Sequence, residues 1–136
     1  MIKSSSLSLL LKKVISNGIE TIFISRLTGE ILCIEGKDTT QILSDIISTM
    51  WNEYYQIGKS SLKDEKLNYL LIENDDSYII TTFLYSYIIS MKSDKKMKLG
   101  MLKKHLEGLT QNLNKMLEPF KDIIVKKEEE SNDENK

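Results

Sequence analysis

The chain has 136 residues, 40% of them hydrophobic, with 19 Lys and Arg against 20 Asp and Glu. This length suits one domain with a single apolar core, and a net charge of −1 excludes the strongly basic balance of nucleic-acid-binding proteins. No run reaches the ~20 apolar residues that cross a bilayer, so direct membrane insertion is not expected. The single Cys33 lies in an apolar run, which predicts a buried structural thiol in a reducing compartment.

The first quarter of the chain predicts a helix followed by a hairpin. Serines 4 to 6 offer capping oxygens to an amphipathic helix that ends before Gly18. Residues 19–25 and 30–35 are rich in Ile, Thr and Phe and predict two strands, because Gly29 between them allows a tight turn.

A second helix is predicted to begin at Asp38, with Gln41 completing a capping box, and to end at Gly58. At about 100° per residue its apolar positions fill an arc of roughly 180°, which is wider than the core-facing stripe of an ordinary helix. One sheet face cannot cover this arc, so half of the helix is predicted to face a partner chain. Ile42, Ile46 and Met50 are predicted to cover the sheet. The predicted partner-facing residues are Leu43, Ile47, Trp51 and Tyr54, although Trp51 alone is equally compatible with a core position.

The remaining sequence predicts three strands, a third helix and a tail. Residues 67–72 form one strand, and 78–91 form a hairpin, because a single strand of that length would reach about 46 Å. Leucines at helical spacing from Leu102 predict an amphipathic helix that Pro119 ends. We therefore predict one domain over residues 1–120 and a charged, disordered tail over 121–136, whose acidic run is most simply solubilising.

The element order α-β-β-α-β-β-β-α predicts the α+β class. Hairpin-length links favour antiparallel pairing, so the expected architecture is a five-stranded antiparallel sheet with helices on both faces.

Few residues offer chemistry. His105 is the only histidine and has no Ser, Cys or second His at a useful spacing, so a helix-surface role is favoured. Glu73, Asp75 and Asp76 lie at a hairpin turn without the spacing of a calcium loop. The glycines are scattered and form no phosphate-binding loop. We predict no catalytic residue, no cofactor and no metal.

Several segments resemble the roadblock/LC7 family in order and spacing, from about Leu7 to Pro119. The nearest members are the roadblock-domain Ragulator subunits, the late endosomal and lysosomal adaptors. The similar segments are STMWNEYYQIG at 48–58, LNYLLIEN at 67–74, and a last helix that begins with GML at 100–102 and ends with EP at 118–119.

The resemblance implies a non-enzymatic scaffold. It implies pairing with a second roadblock-domain subunit, attachment through a lipid-anchored Ragulator subunit, and Rag-type GTPases held at the cytoplasmic face of late endosomes and lysosomes. The implied roles are amino-acid signalling to the target-of-rapamycin kinase complex and MAP kinase scaffolding. Because roadblock domains pair through the second helix and the third strand, Leu67, Tyr69 and Leu71 join the implied interface. When the second subunit is absent, pairing of this chain with a second copy of itself is also possible.

Two alternatives remain. A dynein light chain of the roadblock type is a homodimeric motor adaptor, and the long third helix argues against it. A small ligand-binding domain would need a convergent set of polar residues, which the sequence does not show.

Overall fold

The computed structural model describes residues 4–15, 18–36, 41–61, 68–120 and 122–124. Its strands pair antiparallel in one sheet, in the spatial order β2-β1-β5-β4-β3. The predicted α+β class and element order are confirmed. The elements are α1 (Ser4–Ile15), β1 (Ile19–Arg26), β2 (Ile31–Gly36), α2 (Gln41–Ser61), β3 (Leu70–Glu73), β4 (Ser77–Leu84), β5 (Tyr87–Asp94), α3 (Leu99–Leu117) and a 3-10 turn (Glu118–Phe120).

One face of the sheet is covered by α1 and α3. Leu11 of α1 is fully buried there, and its partly buried neighbours on the same helical stripe pack beside it. The predicted stripe of α3 is confirmed, because its leucines are at most 2% exposed, and Pro119 follows directly after the helix ends. These leucines are Leu102, Leu106, Leu109 and Leu113.

The other face is covered by α2. Its cluster joins buried residues of the helix to Phe23, Ile79 and Ile88 on three adjacent strands. The same strand surface also buries small hydroxyl side chains, and Thr81 Oγ1 lies 3.0 Å from Ser90 Oγ. This face is therefore built from aromatic rings and short polar side chains together.

Two turns take left-handed backbone conformations. Gly29, between β1 and β2, has φ +96°, and a Cβ there would lie 2.4 Å from Asp45 Oδ1. Only glycine thus lets α2 approach this turn so closely. Tyr85, between β4 and β5, has φ 59°, which confirms the predicted turn within residues 84–86. Its hydroxyl donates to Asn114 Oδ1 of α3.

Two boundary predictions are wrong. Gly58 does not end α2, which continues to Ser61. A glycine inside a helix costs only about 1 kcal/mol relative to alanine, so it does not stop a helix by itself. The tail prediction fails at residues 122–124, which form a helical turn with Ile124 only 3% exposed. The Asp38 cap and residues 125–136 lie outside the described residues.

Candidate protein interface

The side of α2 that meets the sheet is the opposite of the predicted one. Ile47 and Trp51 are 0% and 2% exposed, whereas Ile42 and Ile46 are 70% and 49% exposed. The prediction that Ile42 and Ile46 cover the sheet while Ile47 and Trp51 face outward is therefore wrong. Trp51 is a core residue, and its ring stacks on Phe83 with centroids 5.9 Å apart.

Polar side chains explain this rotation of the helix. Ser44 Oγ donates to the Gly29 carbonyl at 2.7 Å, and Ser48 Oγ donates to the Leu27 carbonyl. Asn52 Nδ2 donates to the same Leu27 carbonyl at 3.1 Å. Buried hydroxyls are stable when they are hydrogen-bonded. The centre of the buried side of α2 thus contains serines. A prediction based on apolar positions alone places such polar residues on the solvent side of the helix.

The outer side of α2 carries a continuous row of apolar residues, which we call the outward stripe. Its members follow one another at intervals of three or four positions, so they share one helical face. Four are 48–70% exposed, and Met50 is half-buried and also touches the core. Contiguous exposed apolar surface marks interaction sites. The outward stripe consists of Ile42, Ile46, Met50, Tyr54 and Ile57.

Of the four α2 residues predicted at the interface, only Tyr54 is exposed, at 48%. Leu43 is half-buried and packs on the same cluster as Ile47 and Trp51. Ile57 is 49% exposed and was missed. The signal that identified a second face was the width of the apolar arc, which does not reveal which half is buried.

Strand β3 ends the described sheet, beside β4. Leu70 and Ile72 pack under α2, while Leu71, whose side chain points to the other sheet face, is 42% exposed. A terminal strand offers backbone groups that another strand can pair. Leu67, also predicted at this edge, lies outside the described residues.

Tyr69 is held by α3. Its hydroxyl donates to Glu107 Oε1 at 3.2 Å, and Lys103 Nζ lies 5.0 Å from its ring centroid. Burial, together with the Glu107 carboxylate, raises the pKa of Tyr69. Tyr69 is thus at the sheet edge but engaged within its own chain.

The residues considered for chemistry have structural surroundings. Asn74 Oδ1 accepts hydrogen bonds from the backbone N–H groups of Asp76 and Ser77, so the acidic segment is a turn. Burial raises the pKa of the Cys33 thiol. Within the described parts of the chain, no three His, Cys, Asp or Glu side chains lie together as a metal-binding group. Over the same parts, no helix is both long and apolar enough to cross a membrane.

No protein-family model matches the sequence. The fold is nevertheless that of roadblock/LC7 domains. A roadblock/LC7 domain from Streptomyces avermitilis superposes with a TM-score of 0.73 at 10% identity, covering 81% of this chain and 96% of that chain.

Bacterial MglB proteins are similar as well. Myxococcus xanthus MglB superposes with a TM-score of 0.79 at 10% identity, covering 88% of this chain and 100% of that chain. An MglB with a tetrameric arrangement gives 0.73 at 12% identity, covering 85% and 90%. At these identities the likeness shows the fold alone.

Proposed function

We propose that this chain is a non-enzymatic adaptor that works by pairing with a second roadblock-domain chain. The outward stripe of α2 carries this proposal. The opposite side of this helix already fills the core with Ile47 and Trp51, and apart from Met50 the stripe residues are exposed. An exposed apolar row on an otherwise well-packed helix is typical of a surface that another protein covers.

The energetics favour an interface larger than the stripe. Covering one large apolar side chain contributes about 1.5 to 3 kcal/mol, while association costs on the order of 4 to 15 kcal/mol. The stripe alone barely offsets that cost. Strand β3, in which Leu71 is exposed, offers backbone pairing at the sheet edge. Assembly of a protein with this fold, the tetrameric MglB, supports the same inference.

The more specific role is that of a Ragulator-like scaffold subunit. Support for it is the resemblance in order and spacing of the segments between Leu7 and Pro119. In this role a lipid-anchored subunit holds the pair at late endosomal and lysosomal membranes, on the cytoplasmic face. The pair then positions Rag-type GTPases for amino-acid signalling to the target-of-rapamycin kinase complex and serves MAP kinase scaffolding. In this proposal the domain predicted over residues 1–120 also includes the turn at 122–124, and the charged segment after it serves as a solubilising tail.

The test is affinity purification of the tagged chain at native expression, with mass spectrometry of its partners. Three chains are compared: the unchanged protein, Ile46→Asp/Ile57→Asp on the stripe, and Leu9→Asp/Met101→Asp as control. Leu9 and Met101 are 62% and 47% exposed on the opposite sheet face, so the control makes the same chemical change elsewhere.

We expect the unchanged and control chains to retain a second roadblock protein, a lipidated subunit and Rag-type GTPases, and the stripe variant to lose all three. Equal recovery with the stripe variant would contradict the interface. Recovery of dynein intermediate chains instead would make the protein a motor light chain and remove the lysosomal role.

A further inference from the structure

Glu53 lies inside the outward stripe. Because an α-helix turns about 100° per residue, Glu53 projects within ~20° of Ile46 and ~40° of Ile57 around the helix. Its side chain is exposed in the single chain. A partner that covers Ile46 and Ile57 therefore also covers a carboxylate.

Covering that carboxylate is unfavourable unless a cation meets it. Removing an ion from water costs several kcal/mol, which only a paired opposite charge repays. The part of α2 that carries the outward stripe supplies no cation, because no Lys, Arg or His occurs from Gln41 to Ile57. The only other charged residue in that span is Asp45, which is exposed at the side of the stripe.

A pair of identical chains cannot supply the cation from this surface. Two identical chains related by a two-fold axis use the same patch on both sides. If two α2 helices cross antiparallel with Thr49 at the centre, Glu53 of each copy faces Asp45 of the other, since both lie four positions from Thr49. Each self-pair then contains two repulsive carboxylate contacts.

We propose that Glu53 selects the partner: the outward stripe accepts a second roadblock-type helix that carries Lys or Arg opposite Glu53, and disfavours a second copy of this chain. This inference rests on the proposed function for the location of the interface. It adds that the partner surface is apolar with a central cation, and that Glu53 is the residue that recognises this cation. Such repulsion against a wrong partner is a common source of specificity.

The test measures association of the purified full chain by sedimentation velocity over a concentration series. Removing the charge with Glu53→Leu should strengthen self-association by about tenfold, the factor that 1.4 kcal/mol provides. The doubly reversed chain Asp45→Lys/Glu53→Lys should self-associate weakly, like the unchanged chain. An equimolar mixture of the unchanged chain and the doubly reversed chain should associate at least about tenfold more tightly than either chain alone. Every facing pair in the mixed dimer joins a carboxylate to a lysine and is therefore attractive.

The control is Asp75→Lys/Asp76→Lys, which makes the same charge change at the exposed β3–β4 turn. Mixed with the unchanged chain, it should give no gain. Circular dichroism checks that each variant is folded, and Glu53→Leu provides the result independently of Asp45, which lies against Gly29.

Two outcomes separate this inference from the proposed function. If Glu53→Leu and the mixture associate no better than the unchanged chain, while Ile46→Asp/Ile57→Asp still loses the cellular partner, Glu53 does not select and only this inference fails. If the stripe variant keeps its cellular partner, the interface lies elsewhere and both fail.

Discussion

The two faces of the sheet differ in how helices cover them. On the face covered by α1 and α3, two helices close over a core in which Leu102, Leu106 and Leu113 are fully buried. On the other face a single helix, α2, lies over a strand surface that includes Thr81 and Ser90. The helices of the first face expose only scattered apolar residues such as Leu9 and Met101 outside their buried stripes, whereas α2 exposes a continuous apolar row opposite its buried side.

This difference separates stability from recognition within one small fold. A helix with one apolar stripe can only build a core, because its outer side stays in water. A helix with two apolar sides builds a core and leaves a second surface for another chain. Helix α2 combines both roles because Ser44 and Ser48 fix its rotation through hydrogen bonds to the β1–β2 turn.

The largest expected difference in stability is between two neighbouring residues on opposite sides of α2. Ile47→Asp places an unpaired charge at a fully buried position and should lower the free energy of unfolding by on the order of 4 kcal/mol or more. Ile46→Asp, one residue away and half exposed, should change it by less than about 0.5 kcal/mol. Urea unfolding of both variants measures this. Similar losses for both would mean that α2 does not have one buried and one free side.

A smaller effect should appear when the core of the other face is truncated. Leu106→Ala removes a fully buried side chain of α3 and should cost about 2 to 5 kcal/mol, depending on how far the site collapses. Ile42→Ala, on the outward stripe, should leave stability within about 0.5 kcal/mol of the unchanged chain. A loss of several kcal/mol for Ile42→Ala would show that the stripe belongs to the core.

Loss of the hydroxyl pair beneath α2 should lower the free energy of unfolding by less than either core substitution above. Thr81→Val leaves the buried Ser90 hydroxyl without this partner and should cost about 1 to 3 kcal/mol. The double variant Thr81→Val/Ser90→Ala removes both polar groups and should recover part of that loss. A double variant as unstable as the sum of the two single changes would contradict a direct hydroxyl pair.

The smallest effect concerns pH. Burial raises the pKa of Cys33 above its ordinary value of 9.0, so the folded chain holds the thiol proton more tightly than the unfolded chain. This contribution to stability is complete below pH 9 and declines as the pH rises above it. The loss of stability on going to pH 10 should be smaller in Cys33→Ala, measured by urea unfolding at both pH values. An unchanged loss would assign the pH dependence to other groups, Tyr69 among them.

Much of the fold could be predicted from sequence, because hairpins and the third helix carry local signals. Gly29, the length of the 78–91 run and Pro119 each fixed a turn or an end without reference to the rest of the chain. The orientation of α2 could not be predicted in the same way. It depends on hydrogen bonds between Ser48 and Leu27 and on stacking between Trp51 and Phe83, which are contacts between distant segments.

The same limit explains the error at the C-terminus. Residues 122–124 follow Pro119 and precede a charged run, so composition alone assigned them to the tail. Of these residues only Ile124 is buried, and it packs against residues from other elements. A contact with distant segments leaves no local sequence pattern.

The pocket that Ile124 lines also brings the first and last described segments of the chain together. Leu7, near the start of α1, and Ile124, the last described residue, line one apolar cavity of about 50 Å³. The first and last described segments therefore lie side by side. Circularly permuted versions, in which a linker connects Ile124 to Ser4 and new ends open at the exposed turn Asn74–Asp76, would keep every strand neighbour of the sheet.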